Sequence, residues 1–141
     1  MTVPARTDLH VGDRFTARSD GLDPADARIA VDLLGYTHPL FAGSAPPPMV
    51  PGQLVLALAA GALESSDRMG SDVIALVGMD DIRFPSSLEP GQRLDIDVEV
   101  AHRRPTTRGD RTILVLDLRG RVGDRLVMTA TTSFLLKTRT D

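Results

Sequence analysis

The chain has 141 residues, of which 42% are hydrophobic and 25% charged, and its formal net charge is −3. Mixed charges and an aromatic content of only 4% argue against nucleic acid and against an anionic membrane surface as partners. A chain of this length can bury one hydrophobic core, so we expect residues 1–141 to form a single domain. The lack of cysteine and of an apolar leader favours a location in the cytoplasm.

The first third of the chain predicts a strand and a helix. Residues 14–18 follow a Val-Gly-Asp turn and predict a short strand. Asp23 suits the N-cap of a helix, Pro24 suits its first position, and Gly35 suits the position after its end. The narrow apolar stripe of this predicted helix consists of Ile29, Leu33 and Leu34.

An irregular segment then precedes a strongly apolar helix. Residues 36–50 have no hydrophobic period, and their four prolines prevent regular pairing. The helix begins abruptly at Pro51-Gly52, and polar residues return only at Glu64. Because a helix without a polar face must avoid water, we predict that it is buried on nearly every side.

The second half of the chain predicts antiparallel strands. Residues 73–84 predict one strand with a bend at Gly78, and residues 103–110 predict a hairpin loop. A tight turn is predicted at Gly123-Asp124, between two further strands. Apolar residues alternate with acidic ones in the strand before the hairpin, where the apolar positions are Leu94, Ile96, Val98 and Val100.

A curved antiparallel sheet wrapped around one long helix buries the apolar face of each strand and the helix together. The sequence therefore predicts an α+β protein with the hot-dog fold. A single copy leaves one edge strand open, and open edges pair readily with other strands. We expect a homodimer with a continuous sheet, or a heterodimer with a related subunit.

Three segments carry a resemblance to a known family: GYTHPLF, VPGQLVLALAAG and DIRFPSSLEPGQRLDIDVEV. With the order of elements, they resemble the MaoC-like branch of the hot-dog superfamily, which contains (R)-specific enoyl-thioester hydratases and dehydratases. The resemblance covers about residues 10–137. It implies that the start of the buried helix binds a thioester carbonyl, and that an Asp and a His upstream of it activate water.

Both positions of that catalytic pair are substituted in this chain. Family members typically read Ser-Gly-Asp-x-Asn-Pro-x-His before a segment like Ala-His-Gly-Met. Tyr36 stands at the Asp position and Phe41 at the His position, while His38 stands at the Asn position. Pro51-Gly52 replaces His-Gly. A phenylalanine cannot accept a proton, and a tyrosine with a pKa near ~10 is a poor base at neutral pH.

Eight residues are candidates for the site that this resemblance implies. His38 is the candidate acid or base, Tyr36 a hydrogen-bond donor to the carbonyl, and the Gly52 N–H an oxyanion donor. The structural alternatives are an exposed loop histidine and a half-buried tyrosine ring. The candidates for substrate binding are Phe41, Pro51 and Gln53 around the pocket and Arg103 and Arg104 on phosphate groups, where core packing and a solvated loop are the alternatives.

The leading hypothesis is a hydro-lyase with an atypical site acting on an acyl thioester, carried by coenzyme A or an acyl carrier. The alternative is a catalytically silent acyl- or thioester-binding protein, or the silent subunit of a MaoC-like heterodimer. A thioesterase ranks lower, because Gln53 occupies the neighbourhood where such enzymes usually hold an acid. No metal spacing appears, and coenzyme A or phosphopantetheine is expected only as part of the substrate.

Overall fold

Seven elements follow one another in the computed structural model, which describes residues 2–43 and 45–137. The first strand and two helices precede four long strands. In chain order the elements are β1 (Arg14–Ser19), α1 (Pro24–Leu33), α2 (Gly52–Glu64), β2 (Val73–Arg83), β3 (Leu94–Pro105), β4 (Arg111–Val122) and β5 (Arg125–Lys137).

The five strands form one antiparallel sheet in the order β1-β3-β4-β5-β2. Helix α2 packs on the inner face of this sheet, chiefly against β1 and β3. This arrangement confirms the predicted hot-dog fold. The order leaves β1 and β2 at the two edges, so β2 has one unpaired side.

Alternation of side chains along the strands builds most of the core. The predicted apolar face of β3 is buried, and the neighbouring strands contribute Leu114, Leu116, Met128 and Phe134. A register shift between Gly120 and Arg121 interrupts the alternation at the start of β5. As a result both Val127 and Met128 are fully buried, an outcome that the sequence pattern alone does not predict.

The buried face of α1 differs from the predicted stripe. Its N-cap is as expected, since the Asp23 carboxylate accepts a hydrogen bond from the Asp26 N–H at 2.8 Å. However, Ala27 and Val31 are the buried residues of this helix. The predicted stripe is wrong, because it lies on the opposite side and is exposed to solvent at Ile29, Leu33 and Leu34.

Helix α2 is covered on one face and along its flanks, but not all round. Its buried residues are Val55, Ala59 and Leu63. A line of exposed residues follows the opposite side and consists of Gln53, Ala57, Gly61 and Glu64. The prediction of burial on nearly every side is therefore only partly confirmed. One chain supplies a single sheet, and that sheet covers one side of the helix.

The arginine-rich hairpin is shorter than predicted. Strand β3 continues to Pro105 and β4 begins at Arg111, so Arg103 and Arg104 lie in a strand. The Arg103 Nη1 atom donates hydrogen bonds to the carbonyl oxygens of Thr7 at 2.9 Å and Leu9 at 3.0 Å. These contacts hold the N-terminal segment against the sheet.

The free edge of β2 is apolar over most of its length. Leu76 and Val77 are 47% and 51% exposed, and Ile74 is 41% exposed. The strand runs through Gly78 as predicted, with register shifts against β5. Near its end Asp81 has a φ of 54°, a left-handed conformation that bends the edge. No helix in the described residues is long and apolar enough to cross a membrane.

Candidate functional site

A cleft of about 540 Å³ lies where α2 begins. We call it the α2 cleft. Its walls come from the irregular segment, the first turn of α2, and the chain that leaves β2. The residues that line it are Met49, Val50, Gly52, Gln53, Val55, Leu56, Ile82, Phe84 and residues 86–88. Most of these side chains are apolar, which suits an acyl chain.

The start of α2 presents free backbone donors to this cleft. Pro51 is the N-cap, and no side chain caps the helix. The Pro51 carbonyl oxygen accepts from the N–H groups of Leu54 at 2.9 Å and Val55 at 3.0 Å. Within residues 2–43 and 45–137, the N–H groups of Gly52 and Gln53 have no hydrogen-bond acceptor. These two donors and the helix dipole favour an oxygen with negative charge at this position.

The Phe84 ring contacts Gly52 across the cleft. A Cβ atom placed on Gly52 would lie 3.1, 3.2 and 3.3 Å from three ring carbons of Phe84. A side chain at position 52 would therefore press on the ring, which would have to shift by a few tenths of an ångström. The Phe84 side chain occupies part of the space through which a ligand would reach the free N–H group of Gly52.

None of the described side chains that line the α2 cleft is titratable near neutral pH. The polar ones belong to Gln53, Ser86 and Ser87. Likewise, no group of three or more His, Asp or Glu side chains in the described residues is arranged to hold a metal ion. The cleft of one chain therefore offers hydrogen-bond donors to an oxygen atom, and none of its described side chains is a titratable group that would move a proton.

Tyr36 connects the irregular segment to the first turn of α2. Its hydroxyl donates a hydrogen bond to the Gln53 Oε1 atom at 3.1 Å. Its ring packs edge-on against Phe41, with ring centroids 5.3 Å apart and an interplanar angle of 74°. The structure thus brings together three of the predicted site residues beside the cleft, although Tyr36 and Phe41 do not line it.

His38 lies in an exposed turn of the irregular segment and does not line the α2 cleft. Its Nδ1 atom accepts a hydrogen bond from the Leu40 N–H at 3.0 Å. Its carbonyl oxygen accepts from the N–H groups of Phe41 and Ala42, both at 2.9 Å. With Nδ1 used as an acceptor, the neutral ring carries its proton on Nε2, so neither nitrogen offers a free lone pair as a base.

Arg28 is a residue of this region that the sequence analysis missed. Its side chain is only 16% exposed. The Nη1 atom donates to the carbonyl oxygens of Phe41 at 2.9 Å and Ala45 at 3.1 Å, while Nε and Nη2 bind the Asp32 carboxylate. This clamp fixes the turn that contains His38. The spacing of Arg28 and Asp32, four residues apart on a helix, was the available signal.

Arg103 and Arg104 lie at the other end of the sheet. The cleft end is marked by Arg83, which pairs with Thr129. The rows of Arg103 and Arg104 continue through β4 to Phe134 and Leu135 of β5. Five and six residue steps along β5 separate these rows from Thr129, or about 17–20 Å at ~3.3 Å per residue. Arg103 and Arg104 line a separate depression of about 300 Å³ there, so one chain does not bring them to the α2 cleft.

A relative with a known activity matches nearly the whole chain. It is the 3-hydroxyacyl-[acyl-carrier-protein] dehydratase FabZ of Streptococcus pyogenes serotype M3. The two are 30% identical over 137 residues, which cover 94% of this chain and 91% of the relative. No protein-family model matches the chain.

Solved structures with the same fold cover the chain almost completely. The monoamine oxidase regulatory protein from Archaeoglobus fulgius has a TM-score of 0.81 at 20% identity, covering 99% of this chain and 98% of that one. The MaoC-like dehydratase from Rhodospirillum rubrum has a TM-score of 0.72 at 20% identity, covering 95% and 97%. The (R)-hydratase from A. caviae has a TM-score of 0.69 at 22% identity, covering 93% and 98%.

Proposed function

This chain belongs to the family of hydratases and dehydratases that includes FabZ and the MaoC-like proteins of the hot-dog superfamily, and we propose that it binds an acyl thioester in the α2 cleft as a hydratase- or dehydratase-like protein. One observation carries the proposal. The two free N–H groups at the start of α2 open into a cleft whose walls are mostly apolar. A thioester has a carbonyl oxygen for such donors and an acyl chain for such walls.

The chemistry of hydration defines what the protein must supply. Water adds across the double bond of an enoyl thioester, with its hydroxyl group bonding to the β-carbon and a proton to the α-carbon. Negative charge moves onto the thioester oxygen during the addition, where the Gly52 and Gln53 N–H groups would stabilise it. One group must also take a proton from water, and one must deliver a proton to carbon.

His38 is the titratable candidate for that proton transfer within one chain. The Leu40 N–H would have to release Nδ1 before the ring could accept a proton, and the turn would have to bring the ring to the cleft. Tyr36 would assist by orienting Gln53 through its hydroxyl group. In this reading the protein is a hydro-lyase whose site differs from that of its relatives.

The second candidate function is a silent binding protein or the silent subunit of a heterodimer. It is favoured by the absence of a titratable side chain among the described residues that line the α2 cleft. The free apolar edge of β2 supports a dimer in either case, since an exposed edge of this kind pairs readily with a second strand. We propose a homodimer for the lyase and a pair with a catalytically complete relative for the silent subunit.

The decisive experiment measures binding and turnover separately. Binding of enoyl-CoA is followed by calorimetry and by the fluorescence of Tyr36, the only tyrosine in a chain without tryptophan. Hydration is followed by the loss of enoyl absorbance for wild type, His38→Ala and the control His102→Ala, which alters an exposed histidine on β3.

If the protein is a lyase that uses His38, the turnover rate should fall at least tenfold in His38→Ala and stay unchanged in His102→Ala. Binding without turnover by the protein alone favours the silent candidate. Release of free thiol from the thioester would identify a thioesterase instead. Absence of any binding would refute the acyl-thioester proposal in both forms.

A further inference from the structure

We propose that Phe84 is the specificity-determining residue of the α2 cleft, setting the length of the acyl chain that reaches the free N–H groups of α2. This inference rests on the proposed acyl-thioester function. It concerns a residue that supplies no chemistry, and it follows from where the ring lies relative to the helix start.

The Phe84 ring occupies the space directly beside Gly52, whose N–H group is one of the two donors. Its contact with Gly52 is so close that a single added methyl group would meet three ring carbons at 3.1–3.3 Å. Any acyl group whose carbonyl oxygen binds the Gly52 and Gln53 N–H groups must therefore share this space with the ring. A short acyl group needs little of it, whereas a longer chain must extend along the volume that the ring fills.

The backbone that carries the ring is anchored on both sides. Before it, Arg83 pairs with Thr129 of β5. After it, the Ser86 hydroxyl donates to the Leu126 carbonyl oxygen at 2.6 Å. Arg125 adds hydrogen bonds from Nη1 to the Ser86 hydroxyl at 2.9 Å and the Ser87 carbonyl oxygen at 2.6 Å. Because the backbone is held, the size of the side chain decides how much of the cleft is open.

The ring itself is not part of the buried core. Phe84 is 43% exposed, and its neighbour Ile82, which also lines the cleft, is 37% exposed. A residue that is needed for packing would be covered more fully, as Phe134 is at 1% exposed. Truncating Phe84 should consequently enlarge the cleft without collapsing the fold.

The test compares affinities for coenzyme A thioesters with short, medium and long saturated acyl chains, with free coenzyme A as the baseline. Calorimetry gives the dissociation constants for wild type, Phe84→Leu and Phe84→Ala. Phe15→Ala is the matched control, since that ring lies on β1 under the Arg68 guanidinium, 4.9 Å from its centroid, and outside the cleft. Thermal unfolding of each variant verifies that it is folded.

We expect Phe84→Ala to improve the affinity for medium chains relative to short chains by about tenfold or more, which is the effect of one or two accommodated methylene groups in an apolar pocket. Phe84→Leu should lie between the two and serves as the test if Phe84→Ala does not fold. Gly52→Ala should weaken binding of every chain by pressing on the ring, and adding Phe84→Ala should restore it.

An unchanged chain-length preference in both Phe84 variants would overturn the inference, as would an equal change in Phe15→Ala. Failure of wild type to bind any of the thioesters more tightly than free coenzyme A would instead refute the proposed function. The two failures are therefore distinguishable in one data set.

Discussion

Replacing Arg28 tests whether a single guanidinium holds the irregular segment beside α2. Arg28→Met keeps the aliphatic stem of the side chain and removes the hydrogen bonds to the carbonyl oxygens of Phe41 and Ala45. The bond to Phe41 is partly buried, while the bond to Ala45 is exposed, so water can replace only the second one.

A hydrogen bond to a charged group contributes about 1.5–3 kcal/mol, and an exposed ion pair within a helix adds about 0.3–0.5 kcal/mol. Since only the Phe41 bond counts in full, the two contributions together predict that Arg28→Met lowers the free energy of unfolding by about 2–3.5 kcal/mol. Arg28→Lys keeps the positive charge but replaces the planar guanidinium by a single ammonium group. Its free energy of unfolding should therefore lie between those of wild type and Arg28→Met.

Urea unfolding followed by circular dichroism measures this change, and Tyr36 fluorescence reports on the segment itself. Arg108→Met, in the exposed hairpin loop, is the matched control. A loss below about 0.5 kcal/mol in Arg28→Met, equal to that of the control, would refute the clamp, because this is the usual range for a surface substitution. Unchanged Tyr36 fluorescence in the native state would contradict it independently.

Three further predictions concern the rest of the fold. Arg121 Nε donates a hydrogen bond to the Asp97 carboxylate at 2.7 Å, and this contact lowers the pKa of Asp97. The ion pair therefore stabilises the protein fully above the ordinary carboxyl pKa, and this stabilisation is lost as the pH falls through the lowered pKa. Arg121→Gln should therefore unfold at higher pH in an acid titration followed by circular dichroism, and an unshifted midpoint would argue against it. Thr7→Val leaves the buried Gly70 N–H without its 2.8 Å acceptor and should cost about 1–3 kcal/mol in urea unfolding; a neutral effect would mean that this contact is dispensable. Leu76→Lys on the free edge of β2 should give a monomer in light scattering if wild type is a dimer through that edge, and a persistent dimer would place the interface elsewhere.

Sequence patterns predict the central strands well because β3 and most of β4 alternate between buried and solvent-facing side chains. In β3, acidic residues at every second position leave only one possible orientation, and the structure buries Leu94, Ile96 and Val98 as expected. The Pro51-Gly52 start of α2 was equally clear, since proline and glycine mark helix ends by backbone geometry. These features depend on local rules that the sequence displays directly.

Other features depend on contacts between distant segments, and periodicity does not report them. The exposed stripe of α1 has the spacing of a core face, but the residues that the structure buries are Ala27 and Val31. The hydrogen bond from Tyr36 to Gln53 joins residues separated by a segment without periodicity. Likewise, the role of Phe84 follows from its contact with Gly52, which lies 32 positions earlier in the chain.

The unpaired side of β2 has a directional consequence for the arginine-rich end of the sheet. Two copies of β2 paired about a two-fold axis would be antiparallel, so Val73 of one copy would lie near Arg83 of the other. Arg104, remote from the cleft of its own chain, would then stand at the same end as the cleft of its neighbour. Pairing through β2 would thus place the arginine-rich end of one sheet beside the cleft end of the other, with β3 three strand positions from the shared edge.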